Sequence, residues 1–187
     1  MGSLELIIGP MFAGKSSELI NKIRILNILN KSYIVIKPKI DTREYSDIII
    51  SHNNEKIQCN ILLNLKDIYN LANINNIETI FIDEGQFFND LKEITLELVE
   101  KYNKKVIISG LDGDFNRKPI GHILELIPYA DTYVKKVAMC LKCKDGIPGI
   151  FSYRITPNNE QICIGASDKY ITVCRLHYLQ LTSNAEV

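Results

Sequence analysis

Neither sign of charge prevails in this chain: 22 lysines and arginines face 22 aspartates and glutamates, a formal net charge of zero. A polyanion such as duplex DNA therefore meets no basic field that would attract it. No apolar run reaches membrane-spanning length. The start, Met1-Gly2-Ser3-Leu4-Glu5, lacks the basic and apolar regions of a secretory leader. Leu6 stands where a myristoylation signal has Ser or Thr. Internal repeats are missing, as are low-complexity linkers beyond some Asn-rich loops. A disulfide framework does not suit the five cysteines, an odd number, two of which form Cys140-x-x-Cys143. The expectation is a reduced, cytoplasmic, soluble chain with neither a nucleic-acid nor a membrane partner.

What is present fits one full-sized domain with a small appendage in 187 residues, at an ordinary 46% hydrophobic and 24% charged content. Leu4 to Ile8, Ile34 to Ile36, Ile77 to Ile82 and Val106 to Ile108 are short apolar runs of the kind that form buried strands. Helices are predicted over Ser17 to Leu29, Leu65 to Ala72 and Leu91 to Tyr102, and Asp41 to Asn54 reads as a polar loop. Strands alternating with helices imply an α/β fold with a mostly parallel sheet covered on both faces. After about Asp131 the character changes. Short β-like runs at Tyr133 to Val137, Ile150 to Arg154 and Gln161 to Ile164, broken by Pro and Gly, suggest a small β appendage.

Gly9-Pro10-Met11-Phe12-Ala13-Gly14-Lys15-Ser16 fits G-x-x-x-x-G-K-[ST] between a predicted strand and a predicted helix, the context a P-loop needs. Glycines let backbone N–H groups turn toward a phosphate, and the helix adds its positive end. Lys15 supplies a point charge for β- and γ-phosphates, and the Ser16 hydroxyl suits Mg²⁺. Asp83 closes the apolar strand Thr79-Ile80-Phe81-Ile82 in the manner of a second Mg²⁺ partner. Glu84 beside it could accept the proton of an attacking alcohol or orient a water. Asp-Glu alone does not distinguish transfer from hydrolysis.

Cys140-x-x-Cys143 and Cys174-x-x-His177 are two ligand pairs with the spacing of a structural tetrahedral zinc site. The thirty residues between the pairs exceed an ordinary zinc ribbon, so the loop they close needs another purpose. A redox pair is the alternative for Cys140 and Cys143. Cys59, Cys163, His52 and His122 have no partners at such spacing. Phe115 and Tyr170 offer flat surfaces for a base, although each taken alone suits a core better than a stacking platform.

Taken in order, the P-loop, Asp41-Thr42-Arg43, Asp83-Glu84-Gly85-Gln86-Phe87-Phe88, Gly110-Leu111-Asp112-Gly113-Asp114-Phe115-Asn116-Arg117-Lys118-Pro119 and Tyr170-x-x-x-Cys174-Arg175 resemble the type II thymidine kinases, from about residue 4 to 178. The resemblance implies a RecA-like P-loop domain over 1–138, a zinc-binding subdomain with a lasso loop over 139–181 and a loose tail over 182–187. It implies transfer of the γ-phosphoryl group of Mg-ATP to the 5′-hydroxyl of thymidine by a homotetramer. ATP and its metal fall to Gly9 through Ser16, Asp41, Thr42, Arg43, Asp83, Gly85 and Gln86, and the catalytic base is Glu84. The nucleoside falls to Phe115, Met11, Phe87, Tyr170 and the lasso residues Gln161, Ile162, Cys163, Ile164 and Gly165. Zinc falls to Cys140, Cys143, Cys174 and His177.

The chain departs from the family pattern at several points. Ala13 replaces a frequent Ser, Asn116 and Ile120 replace Gln and Phe, and His177 replaces a Cys. Ala166 replaces the second lasso glycine, which would be costly if that position needs a positive φ. Two rivals remain open on sequence alone. One is another P-loop ATPase or nucleoside kinase, which has no need of the zinc-clipped loop; the other is a zinc-module nucleic-acid binder, which needs a basic, aromatic-laced patch.

Overall fold

The computed structural model describes residues 1–42, 47–50, 56–71, 74–157 and 160–183. Six strands form one all-parallel sheet: β1 (Ser3–Gly9), β2 (Tyr33–Pro38), β5 (Asn60–Leu62), β6 (Thr79–Ile82), β7 (Lys105–Leu111) and β8 (Thr132–Lys135). Their order is β5-β2-β6-β7-β1-β8. Such a sheet needs cover on both faces, and the period-2 alternation of apolar side chains supplies it. Ile7, Val35, Phe81 and Ile107 point to the face covered by α1 (Lys15–Ile28), where Leu19, Ile20 and Ile23 are fully buried. Leu6, Ile8, Ile80, Ile82, Val106 and Ile108 point to the other face. That face is covered by α2 (Leu91–Leu96) and the 3-10 turns Leu65–Asn70 and Ile123–Tyr129. Each such side chain contributes about 1.5–3 kcal/mol by leaving water, so these two layers dominate the stability of the sheet.

The element expectations hold for most of this half, with informative differences. The Leu91–Tyr102 helix is α only to Leu96 and widens into a π turn over Glu97–Lys101. The Leu65–Ala72 helix is a 3-10 turn ending at Asn70, while Ala72 lies outside the described residues. Part of the expected Asp41–Asn54 loop is a strand, β3 (Ile48–Ile50), paired antiparallel with β4 (Lys56–Gln58) and packing Ile49 and Ile57 over the α1 face. The run at Tyr133, assigned to the appendage, is instead the edge strand β8, anchored by the Asp131 carboxylate accepting from Leu4 N at 2.7 Å.

Beyond it come two small antiparallel ribbons. One pairs β9 (Ala138–Met139) with β10 (Pro148–Gly149); the other pairs β11 (Phe151–Arg154) with β12 (Tyr170–Val173), followed by α3 (Arg175–Ser183). Thr182 and Ser183, expected in a loose tail, are the end of that helix, with Thr182 Oγ1 donating to the Tyr178 carbonyl. The expected strand at Gln161–Ile164 does not form. Its carbonyls are claimed by side chains: Arg154 takes those of Glu160 and Gln161, Tyr170 that of Cys163, and Lys169 that of Ile164. Backbone acceptors satisfied in this way need no partner strand.

Candidate active site and metal centre

The C-terminal ends of β1, β2, β6 and β7 open onto one cavity of about 460 Å³. The P-loop starts where Gly9 ends β1 and turns through Phe12 at φ 58° to Gly14 at φ 72°, which caps α1. The positive φ at Gly14 fits glycine, with no Cβ to strain it. Lys15 is buried, its Nζ donating to the Pro10 carbonyl at 2.7 Å across the loop. Ser16 Oγ donates to the two Asp83 oxygens at 3.0 and 3.3 Å. Ser109 Oγ on β7 donates to the same carboxylate, and Glu84 N donates to it at 3.1 Å. A hydroxyl and a carboxylate in contact beside a phosphate-binding loop are the oxygen donors that a hard dication takes.

Glu84 sits in the left-handed region at φ 53°, ψ 41°, a conformation uncommon for a residue with a side chain. Its surroundings hold it there. Gln86 Nε2 donates to Glu84 Oε2 at 2.6 Å, while Gln86 Oε1 accepts from Leu111 N at 3.0 Å. Glu84 and Asp83 are both buried and both line the cavity.

Of the sequence-assigned residues, Met11 through Ser16, Asp41, Asp83, Glu84, Phe87, Phe115, Gln161 through Gly165 and Tyr170 come together around this one space. Gly9, Pro10, Thr42, Gly85 and Gln86 are not among its lining residues. Arg43 lies outside the described residues. Sequence reasoning missed Lys37, Asp114 and Ser152, all buried and all on the cavity wall. Ser152 Oγ accepts from Met11 N at 3.0 Å, joining the P-loop to β11. Asp114 accepts from Asn116 N and Lys118 N at 2.8 Å each and from Gln161 Nε2 at 3.0 Å, so it organises its own loop and receives the lasso. A short side chain capping a turn was legible at Asp114. Nothing local marked Ser152.

Ala166 has no positive φ, so its side chain brings no strain. Its N–H donates to Asp168 Oδ1 at 2.9 Å, and its carbonyl accepts from Lys169 N and Tyr170 N.

Cys140, Cys143, Cys174 and His177 converge, with all four ligand atoms within 4.8 Å of one another. Cys143 Sγ to Cys174 Sγ is 3.8 Å, and His177 Nδ1 lies 3.6, 3.3 and 3.3 Å from Cys140, Cys143 and Cys174. A tetrahedral ion bonded at about 2.3 Å to sulfur and about 2.0 Å to nitrogen spaces its ligands roughly 3.5–3.8 Å apart. A disulfide would need about 2.05 Å. Burial opposes ionisation of Cys140. Backbone N–H groups of Cys143, Cys174 and Lys142 outweigh it and bring the thiol down to about 6. Burial, then hydrogen bonding to Cys140 and Cys174, pushes Cys143 up to about 12. The thiolate is thus favoured at Cys140 and opposed at Cys143, a charge conflict that a bound dication would relieve. The donor set fits structural zinc.

A family model for thymidine kinase matches residues 2–178. The chain belongs to the thymidine kinase family. Among curated relatives, the thymidine kinase of Mycoplasma mobile is 39% identical over 96% of this chain and 88% of its own length. The cytosolic thymidine kinase of Homo sapiens is 38% identical over 97% of this chain and 75% of its own. The thymidine kinase of rabbit fibroma virus is 41% identical over 95% of this chain and 96% of its own length. Among the described residues, no helix is long and apolar enough to cross a membrane.

Proposed function

We propose that this chain transfers the γ-phosphoryl group of ATP to the 5′-hydroxyl of thymidine, giving dTMP and ADP. The observation that carries the reading is a single cavity lined both by a P-loop with Asp83-Glu84 and by a loop held between two arms of a Cys₃His cluster. The first wall suits a nucleoside triphosphate, the second a planar base. The relatives named above bear the same activity in their names.

In this mechanism the P-loop amides and Lys15 hold the β- and γ-phosphates and meet the charge that develops on transfer. Ser16 and Asp83 would hold Mg²⁺, which supplies neutralisation of the phosphate oxygens. Glu84 accepts the 5′-hydroxyl proton as that oxygen attacks, and the Gln86 amide fixes the orientation of the carboxylate. Phe115, Phe87, Met11 and Tyr170 frame the base, and backbone groups of Gln161 through Gly165 bond its edge. Asp41, Thr42 and Arg43 complete the donor side. Cys140, Cys143, Cys174 and His177 would hold zinc, which would supply a fixed anchor for the lasso. Residues 1–138 then act as the catalytic domain and 139–181 as the acceptor lid. Exclusion of water by that lid is what separates transfer from hydrolysis.

Assembly as a homotetramer is part of the proposal, supported by the exposed Ile25 and Ile28 on α1 and Leu29 just after it; light scattering tests it. A cytoplasmic setting is supported by the human relative's description as cytosolic. The activity itself is tested with a nucleoside panel and Mg-ATP. Thymine offers an N3–H between two carbonyls, whereas cytosine reverses two of those three groups. Each unpaired buried group costs about 1–3 kcal/mol, so thymidine is expected to exceed deoxycytidine in kcat/KM by about a hundredfold or more. Equal values for the two, or ADP release indifferent to any nucleoside, would refute the assignment.

A further inference from the structure

Arg154 carries a role that neither the motifs nor the mechanism above uses. It closes β11 opposite Tyr170 in the β12 register, and only 6% of its surface is exposed. Desolvating a guanidinium is unfavourable unless its fixed fork of N–H groups is matched. Its matches among the described residues lie in the acceptor wall. Nε and Nη2 donate to the Tyr170 hydroxyl at 3.1 and 2.7 Å; Nη1 donates to the Glu160 carbonyl at 2.6 Å, and Nη2 to that of Gln161 at 3.2 Å. The guanidinium carbon stands 3.8 Å from the centroid of the Phe115 ring. Tyr170, accepting twice from Arg154, donates its own proton to the Cys163 carbonyl at 2.8 Å. Its hydroxyl is thereby engaged within the protein, and its ring is what remains to line the cavity.

One side chain thus touches the aromatic wall, the closing tyrosine and the lasso backbone at Glu160 and Gln161. The P-loop is not among these partners. We infer that Arg154 is a positioning residue for the acceptor: it sets Phe115, Tyr170 and the lasso carbonyls in their places before a nucleoside arrives. The inference rests on the thymidine kinase reading of the cavity. Preorganisation of this kind lowers the ordering cost of binding and leaves the donor side alone. Only arginine can do it here, because a lysine ammonium is a point charge that cannot bridge two carbonyls and a hydroxyl while stacking on a ring.

The test is Arg154→Lys, purified with its zinc. It is read by kcat and KM for thymidine and for ATP, and by hydrogen exchange of residues 160–170 without any nucleotide. Thymidine KM is expected to rise about tenfold or more with ATP KM within about twofold. Zinc content stays at the unaltered level, and exchange in 160–170 becomes faster. An unchanged thymidine KM, or equal rises for both substrates, overturns the inference. If the lysine variant does not fold, Tyr170→Phe decides, since it keeps the ring and removes the hydroxyl at the hub. A selective rise in thymidine KM then supports the role, and its absence overturns it. Should the unaltered protein fail to phosphorylate thymidine, the functional reading falls. Exchange still tests the scaffold in that case: faster exchange in the variant sustains it, and equal exchange overturns it.

Discussion

The two walls of the cavity are built by opposite means. The donor wall is the end of a buried parallel sheet, and its side chains are positioned by backbone: Gly14 and Glu84 at positive φ, and Asp83 N bonded to the Ile36 carbonyl at 2.9 Å. Among the described residues between Ile155 and Lys169, the acceptor wall has no helix or strand. Side-chain donors from Arg154, Tyr170 and Lys169 and the Cys₃His cluster position it. A wall made of sheet is held by the whole core, so single substitutions there change chemistry more readily than shape. A wall made of a few side-chain bonds is displaced by the loss of any of them.

The sharpest expected effect lies on the donor wall. Glu84→Gln keeps the shape and removes the proton acceptor, so kcat is expected to fall by about 10²–10⁴ while ATP and thymidine binding hold within a few-fold. A variant keeping more than half of the original kcat would remove Glu84 as the base. Next, Lys15→Ala should reduce kcat/KM for ATP by about 10²–10³ and leave thymidine binding without ATP intact. Equal damage to thymidine affinity would mean that the walls are not separable.

The acceptor wall is tested through the Cys₃His cluster. One zinc per chain is expected by elemental analysis, lost in Cys174→Ser. Thymidine KM should rise about tenfold in that variant, and discrimination against deoxycytidine should shrink, with less change for ATP. A folded, zinc-free protein of unchanged selectivity would uncouple the cluster from the lasso. The smallest effect is expected where the walls meet. Ser152→Ala leaves Met11 N without its acceptor, which costs about 1 kcal/mol and lowers the melting temperature by about 2–4 °C. Modest rises in both KM values are expected with it. If neither the melting temperature nor either KM moves, the P-loop does not depend on β11.

Much of the donor wall was legible because its signals are local. A strand ending in glycine, a helix opening on Lys-Ser and an apolar strand ending in Asp-Glu each involve neighbours in the chain, and the backbone rules that select them act over a few residues. The Cys₃His cluster was legible for the same reason, as two short spacings. That the pairs meet was inferred from chemistry, and the fold brings them together across 31 positions between Cys143 and Cys174.

Other features depended on which strands lie side by side. Tyr133 belongs to the main sheet because β1 has an open edge beside it, and Gln161 and Cys163 stay out of a sheet because Arg154 and Tyr170, on the paired strands β11 and β12, take their carbonyls. Met11 and Ser152 are 141 positions apart, and nothing near either residue announces the bond between them. Residue identity and short spacing determined the chemistry available to this protein. Tertiary packing decided which of those groups share a cavity, because a contact between remote segments depends on strand order and register, which the pattern within each segment does not encode.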